Sequence, residues 1–336
     1  MSLNLYTTKT LRKVRERVVV KRNFLRELFF KKEEKVSSSE IILEITKGKE
    51  SFAPFVAPLE RGKPINEKKI KTNIIRAPKI GVTKVLAEGD MIVRNAGEGL
   101  LGETESIVKK MKKILETQEE YIVNKEELMV SQFLTTGKVT SIEGDFGYEV
   151  DYGLGNIETL PEAEQWDKAE VNPIASLDKI LSKSEENGHM IEVLVMGFNA
   201  AEHFIRSAEK QRLLSRDLQT EMVKEVLRRH SGVVWLGTYK TYGVEIYRYK
   251  RSLLTSKGKK IDLMPSNVLI GGSTDGEILY APIFNTADTK SEPLKKVKRY
   301  SYVKNIDDAG LQIITQSSPV LQPVDVDAYF CVTVCK

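Results

Sequence analysis

The sequence predicts an α+β fold built around one long helix. Three observations carry that prediction: an uninterrupted helical pattern over residues 105–136, β-patterned segments on both sides of it, and a change to alternating helices and strands from Asn172 onward. The helical stretch contains no Gly or Pro. Ile107, Met111, Ile114, Leu115, Tyr121, Ile122, Leu128, Met129 and Phe133 recur at three- and four-residue steps, the signature of a one-sided helix. At about 1.5 Å per residue it is roughly 48 Å long, whereas the mean globular helix has only about 11–12 residues. Gly102, with Thr104 or Ser106 as candidate N-cap, bounds it on one side and Gly137 on the other. A helix of that length with a single apolar stripe is a spine on which other elements lie.

Ahead of the spine, residues 1–35 are basic and mixed. Leu11, Val14 and Val18 suggest a short amphipathic helix, and Phe24-Leu25-Arg26-Glu27-Leu28-Phe29-Phe30 follows. Phe29 and Phe30 need an apolar home, and the reading is an arm that packs on another subunit, with membrane-surface binding as a lesser alternative. Residues 36–90 read as β. Ile41, Leu43 and Ile45 alternate with polar neighbours, and Pro54 and Pro58 confine residues 52–58 to an edge or an arm. Arg61-Gly62-Lys63-Pro64 is a loop tip. Alternation resumes at Ile70, Thr72 and Ile74, then Ile80, Val82 and Leu86. The whole reads as a two-stranded excursion leaving near Lys47 and returning near Lys84. An isolated hairpin is marginal in water, so this one needs a partner surface.

Behind the spine, residues 138–172 are short strands and acidic loop. Asn172-Pro173 is an N-cap followed by proline at the first helical position. Ile174, Leu177, Ile180 and Leu181 continue that helix to Asn187-Gly188. Residues 190–196 form an apolar strand. Asn199 with Glu202 is a candidate capping box for a helix to about Leu214, and residues 218–229 are another helix. Strands are expected over 233–236, 244–249, 268–271, 278–280, 311–315 and 328–334, the last two as a C-terminal pair. A length of 336 residues favours two domains.

Composition excludes several classes. Hydrophobic content of 41% and charged content of 29% are ordinary for a soluble protein. No apolar run approaches about 18 residues, so no membrane-spanning helix is expected, and the N-terminus lacks the apolar core of a secretory signal. Cys331 and Cys335 lie on a strand-like segment. Four strand residues span roughly 13 Å, beyond the limit of about 7 Å between Cα atoms for a disulfide, so core or interface thiols in a reducing compartment are expected. With no second cysteine pair and only His189, His203 and His230, no metal site is expected.

Catalytic patterns are missing. There is no phosphate-binding Gly-x-x-x-x-Gly-Lys-Ser/Thr, no Gly-x-Ser-x-Gly elbow and no His-Glu-x-x-His. The strand-turn-helix at Val193-Leu194-Val195-Met196-Gly197 lacks the three-glycine dinucleotide fingerprint, and Gly153-Leu154-Gly155 is equally weak. His189 and His203 read as structural. Glu126 and Glu127 are neighbours on a helix, point about 100° apart and form no acid/base pair. No catalytic, cofactor-binding or metal residue is assigned, no cofactor is expected, and the chain does not read as an enzyme.

The net charge of +5 hides segregation. Residues 1–35 hold eleven Lys/Arg against four acids, residues 47–84 ten against three, and residues 143–192 thirteen acids against three lysines. These are solvated faces, or basic segments that dock on acidic surfaces of neighbouring copies, or, for the N-terminal segment, a surface for nucleic acid.

The order of parts resembles the major capsid proteins of tailed phages with the Hong Kong 97-type fold, and specifically the phage lambda-like major capsid protein E family. The resemblance rests on Phe24-Leu25-Arg26-Glu27-Leu28-Phe29-Phe30-Lys31, Pro54-Phe55-Val56-Ala57-Pro58-Leu59-Glu60-Arg61-Gly62, the helix end from Phe133 to Gly137, and Val150-Asp151-Tyr152-Gly153 with Trp166 after it. It continues through Val193-Leu194-Val195-Met196, Phe204-Ile205-Arg206-Ser207, Gln316-Ser317-Ser318-Pro319-Val320-Leu321 and Val324-Asp325-Val326-Asp327-Ala328-Tyr329-Phe330. The Gln-Ser-Ser-Pro segment is the sharpest piece, and the match spans nearly the whole chain. It implies an N-terminal arm (1–35), a peripheral domain (36–171) with extended loop 47–84 and spine helix 105–136, an axial domain (172–310), and C-terminal strands (311–336) returning to the junction of the two. It implies self-assembly into hexamers and pentamers of an icosahedral shell around double-stranded DNA, with a scaffold, a portal and, as in lambda-like members, a decoration protein as partners. No membrane partner is implied. The expected location is the virion capsid, assembled in the bacterial host cytoplasm. Lys68 and Lys69 fall in the loop that carries covalent crosslinks in some relatives, but lysine is abundant throughout this chain and no such role is assigned. The alternatives are an encapsulin-like compartment and a DNA-binding protein using its basic N-terminal arm.

Overall fold

The computed structural model describes residues 7–18, 23–47, 69–86, 102–141, 147–211, 214–215, 230–255, 257–284, 294–306 and 310–336. The helix expected over 218–229 and the tip of the excursion, with Lys68, lie outside the described residues. Five α-helices are described: α1 (Thr8–Arg15), α2 (Phe24–Phe29), α3 (Gly102–Thr136), α4 (Pro173–Glu186) and α5 (Phe198–Gln211). The strands ahead of and just behind α3 are β1 (Lys32–Lys35), β2 (Glu40–Lys47), β3 (Lys69–Arg76), β4 (Ile80–Leu86), β5 (Lys138–Thr140), β6 (Glu149–Asp151) and β7 (Ile157–Thr159). The next group is β8 (Val193–Met196), β9 (Leu214–Ser215), β10 (Val233–Tyr239), β11 (Val244–Tyr249), β12 (Ser252–Leu254), β13 (Lys260–Asp262) and β14 (Val268–Gly272). The last are β15 (Glu277–Tyr280), β16 (Ile283–Phe284), β17 (Leu294–Lys295), β18 (Tyr300–Ile306), β19 (Gly310–Ser317), β20 (Pro319–Gln322) and β21 (Phe330–Thr333).

The spine helix α3 runs for 35 residues, three longer at its start than the sequence pattern. It ends where Gly137 adopts φ 69°, and the Gly137 N–H closes the last turn on the Phe133 carbonyl. A Cβ at 137 would sit 2.8 Å from Leu154 Cβ, so both the turn and the close approach call for glycine. Ile107, Met111, Leu115, Ile122, Met129 and Phe133 are buried as the periodicity requires. Tyr121 is not: it is 62% exposed. It lies on the flank of the stripe, and its ring faces the groove beside β4.

Three packing centres follow the spine. At its first half, α1 and α3 lie on the antiparallel sheet β18-β19-β4, and Leu11, Val14, Met111, Leu115, Leu311 and Ile313 close the space between them. At its second half, Phe30, Phe133, Tyr152 and Tyr329 make edge-on and stacked ring contacts. Beyond them is the seven-stranded sheet β7-β21-β14-β8-β11-β10-β9. Strand β8 is buried on both faces, and its side chains alternate. Val193 and Val195 join the core shared with α2 and α3, while Leu194 and Met196 join the core with α4 and α5. This explains why β8 reads as an unbroken apolar run. Helix α4 starts as expected, with Asn172 Oδ1 accepting the Ile174 N–H at 3.1 Å and Pro173 at the first position. Helix α5 starts at Phe198, so Asn199 sits inside its first turn and bonds Ser266 Oγ rather than capping it.

Three expectations are corrected. Phe29 and Phe30 do not wait for another subunit: both are buried in this chain's own core, because α2 packs against α3. The two-stranded pairing is displaced from the expected 47–84: among the described residues it begins at Glu40 and Arg76. Strands β2 and β3 pair from Glu40↔Arg76 to Lys47↔Lys69, and β4 leaves them to pair with β19. The C-terminal strands are not a pair: β19 joins β18 and β4, while β21 joins β14 and β7. Cys331 in β21 and Cys335 beyond it are buried free thiols, and burial pushes both upward, Cys331 to about 12.

Phe133 is the ring that Phe30, Tyr152 and Tyr329 all touch. Phe133→Ala is expected to cost about 3–5 kcal/mol, read as a lowered denaturant midpoint in an unfolding titration.

Candidate functional site

The residues that set up the molecule's surfaces are charged and buried. Glu126, 1% exposed, lies between two arginines brought from opposite ends of the chain. Arg26 Nε is 3.2 Å from Glu126 Oε2, Arg299 Nη2 is 2.8 Å from Oε1, and Tyr280 donates to Oε1 at 3.0 Å. Two turns earlier on the spine, Glu119 accepts from Arg299 Nε at 3.2 Å and pairs with Arg15. Seven residues separate Glu119 from Glu126, two helical turns, which places both carboxylates on one face for Arg299 to span. Glu33 of β1 completes the cluster, pairing with Arg26 and with Lys298 Nζ at 2.9 Å.

Glu127 does a different task. Its two oxygens accept the Leu25 and Arg26 N–H groups at 2.9 Å each, and the Tyr249 hydroxyl at 2.9 Å. Those are the second and third residues of α2, whose own N-cap, Asn23, makes no side-chain cap bond. The spine therefore caps α2 from outside, satisfying donors that would otherwise be orphaned. Asn23 instead donates to the Val123 carbonyl and receives Arg251. Of the histidines, His230 Nε2 meets Glu27 Oε2 at 2.8 Å and His189 Nδ1 lies 3.9 Å from Asp325.

The charge states follow from this geometry. Burial is the largest single influence and would lower the Arg26 and Arg299 guanidinium values, but Glu126 and Tyr280, with Glu33 at Arg26 and Glu119 at Arg299, together outweigh it and both are raised. Burial would raise Glu33, but Arg26 and Lys298 hold it down at about 2. Glu127 is raised, because burial outweighs its hydrogen bonds.

No group of His, Cys, Asp and Glu able to hold a metal occurs among the described residues, and no helix described is long and apolar enough to cross a membrane. Gly197 serves packing. A Cβ there would lie 2.1 Å from the Pro265 carbonyl oxygen, so this glycine lets α5 start against the 265–266 backbone. The cavity near Asn156, His189 and Asp327 has about 40 Å³, room for little more than water. The larger space, about 720 Å³, is an open groove between β4 and the first half of α3, lined by Val82, Lys84, Ile114, Thr117 and Tyr121.

The outer surface carries the rest. Much of the acidic segment is neutralised within the chain: Lys138 holds Glu149 at 3.5 Å and Asp151 at 3.0 Å, Lys183 pairs with Glu158, and Lys336 holds Glu162 at 2.6 Å. Lys69 stands opposite Lys47 at the open end of the β2–β3 ladder. On that ladder Ile42 and Ile74 are cross-strand neighbours, 56% and 70% exposed.

A long spine, a two-stranded hairpin and a seven-stranded sheet with α4 and α5 on one face make the Hong Kong 97-type capsid fold. The crystal structure of a prophage capsid protein from Escherichia coli CFT073 matches with a TM-score of 0.74 at 18% identity, over 98% of this chain and 99% of that one. The model of the family described as phage major capsid protein E matches residues 7–334, and the chain belongs to that family. The P21 prophage-derived major head protein of E. coli O6:H1 (strain CFT073) is 25% identical over 350 residues, covering 99% of this chain and 100% of that protein. The major capsid protein of Enterobacteria phage P21 aligns with the same identity and coverage. The protein is a capsid shell protein.

Two measurements probe the buried cluster. Glu126→Ala leaves Arg26 and Arg299 without their shared counter-ion and is expected to cost about 3–5 kcal/mol, read by equilibrium unfolding. The Glu33 value is depressed, so its stabilisation is full above the ordinary 4.5 and is lost as pH falls toward about 2. Glu33→Gln should therefore flatten the acid limb of the stability–pH curve, and an unchanged limb would remove Glu33 as its cause.

Proposed function

We propose that this shell protein assembles into hexamers and pentamers that close an icosahedral head around packaged double-stranded DNA. It acts as a structural subunit and not as a catalyst. Assembly takes place in the bacterial host cytoplasm, with a scaffold, a portal and a decoration protein as partners. The working parts are the N-terminal segment 1–35, the peripheral domain 36–171, the axial domain 172–310 and the returning strands 311–336, with the returning strand β19 pairing between β18 and β4.

The observation that carries this reading is the β2–β3 hairpin. It pairs with no third strand among the described residues, carries Lys47 and Lys69 at its open end, and presents Ile42 and Ile74 side by side to solvent. An exposed apolar pair on a strand ladder is a contact surface. A contact between two different patches on successive copies is heterologous and closes rings when its rotation allows. The basic flanks steer approach, and exposed charges are screened within about 8–10 Å at physiological ionic strength.

The hairpin can be shortened at its last described pair. Lys47↔Lys69 is the last registered pair, so replacing residues 48–68 with Asn-Gly closes a two-residue turn. The expected product folds, with an unchanged far-ultraviolet dichroism spectrum, but forms no shells by negative-stain electron microscopy, whereas the full chain gives shells or rings of five and six. Shells from the shortened chain would overturn the hairpin's role.

A further inference from the structure

Helix α1 and the first half of α3 lie side by side on one face of the β18-β19-β4 sheet, α1 against β18 and α3 against β19 and β4. Their buried residues point at the sheet and at each other, so their remaining faces form one outer surface. On it Lys9, Lys13, Arg17, Lys109 and Lys113 are exposed, with no ion-pair partner among the described residues. Among the residues whose side chains are described, which on α3 begin at 107, the exposed acids there are Glu16, Glu116 and Glu120, and Glu116 is already engaged by Lys112 at 3.7 Å. The surface has a marked positive excess.

It also lacks what a protein interface needs. Protein–protein contacts have an apolar core inside a polar rim. None of the exposed large hydrophobic residues lies on α1 or on residues 107–120 of α3. The nearest, Tyr121, faces the groove beside β4. Lys9 and Lys13 on α1, and Lys109 and Lys113 on α3, are each one helical turn apart, about 6 Å along the axis, close to twice the roughly 3.4 Å axial rise per phosphate of one DNA strand. A rigid, purely electrostatic face with that repeat suits a polyanionic backbone.

We propose that the outer face of α1 and the first half of α3 binds the phosphate backbone of double-stranded DNA without sequence preference, and is the side of the subunit turned to the packaged genome. This rests on the shell reading above and adds to it which face looks inward.

The test compares two full-length variants of equal charge change. One is K9Q/K13Q/R17Q/K109Q/K113Q. The other, K168Q/K179Q/K257Q/K259Q/K260Q, removes five exposed lysines elsewhere. Each is titrated with a short random-sequence duplex at several salt concentrations, checked for native unfolding midpoint, and assembled for electron microscopy. Each lost phosphate contact lowers the slope of log affinity against log salt by about 0.9. The helix-face variant is expected to bind at least about tenfold more weakly, with a slope reduced by about 3–4, while still assembling; the control keeps the parent's affinity. Equal loss in both variants would make binding a matter of net charge and overturn the proposal, as would a parent that does not bind DNA. Failure of the helix-face variant alone to assemble would assign the face to a neighbouring copy and overturn it too. A parent that binds through this face yet never forms shells would instead sink the shell reading and leave the DNA site standing.

Discussion

Everything outside depends on carboxylates that the spine helix turns inward. Glu119, Glu126 and Glu127 gather Arg15 and Arg26 from the first 35 residues, Tyr249 and Tyr280 from the middle, and Arg299 from the last 40. Apolar packing alone tolerates sliding and repacking. A buried carboxylate ion-paired between two guanidinium groups does not, since removing any partner strands a buried charge. Such a cluster is weak evidence for net stability, because desolvation offsets much of the attraction. Its effect here is register: it fixes where α1, α2 and β18 sit along a helix of 35 residues.

That register decides what faces outward. With Arg15 held on Glu119, α1 lies along the first half of the spine, and its Leu11 and Val14 go down while Lys9 and Lys13 go up. With Glu127 capping α2, Phe24, Phe29 and Phe30 enter the core. The same helix thus commits the described N-terminal helices to its own subunit, while the β2–β3 hairpin is one described element without cover, on its Ile42–Ile74 face.

The parts legible in the sequence were those with local signatures. The spine showed in its three- and four-residue steps, α4 in Asn172-Pro173, and β8 in its apolar run. The misses share one cause, namely partners far away in the chain. Glu126 and Glu127 look like ordinary solvated helix charges, since buried acids are rare; only Arg26, Arg299 and the α2 backbone, each about 100 residues or more distant, show them to be interior. Phe29 and Phe30 looked unhoused because their pocket comes from Phe133 and Tyr329. Strand β4 continued the alternation of β3, and nothing local says that it leaves to pair with β19 some 230 residues later. For the surfaces, the sequence showed where basic residues concentrate but not which of them share a face.

The charge segregation also changes meaning once the fold is known. Counted along the chain, thirteen acids within 143–192 look like a docking surface for the basic segments of a neighbour. In space Lys138, Lys183, Lys168 and Lys336 already sit on Glu149, Asp151, Glu158 and Glu162. These are exposed pairs, each worth little to stability, but they lower the field that the region offers a partner. Lys9, Lys13, Arg17, Lys109 and Lys113, on and just beyond α1 and on α3, have no such local answer among the described residues. An uncompensated field of one sign, on a face without exposed large apolar residues, selects for the charge density of its partner and not for its shape. That separates the two basic regions of the chain by what they can hold: the hairpin, with its isoleucine pair, suits another protein surface, and the helix face suits a polyanion.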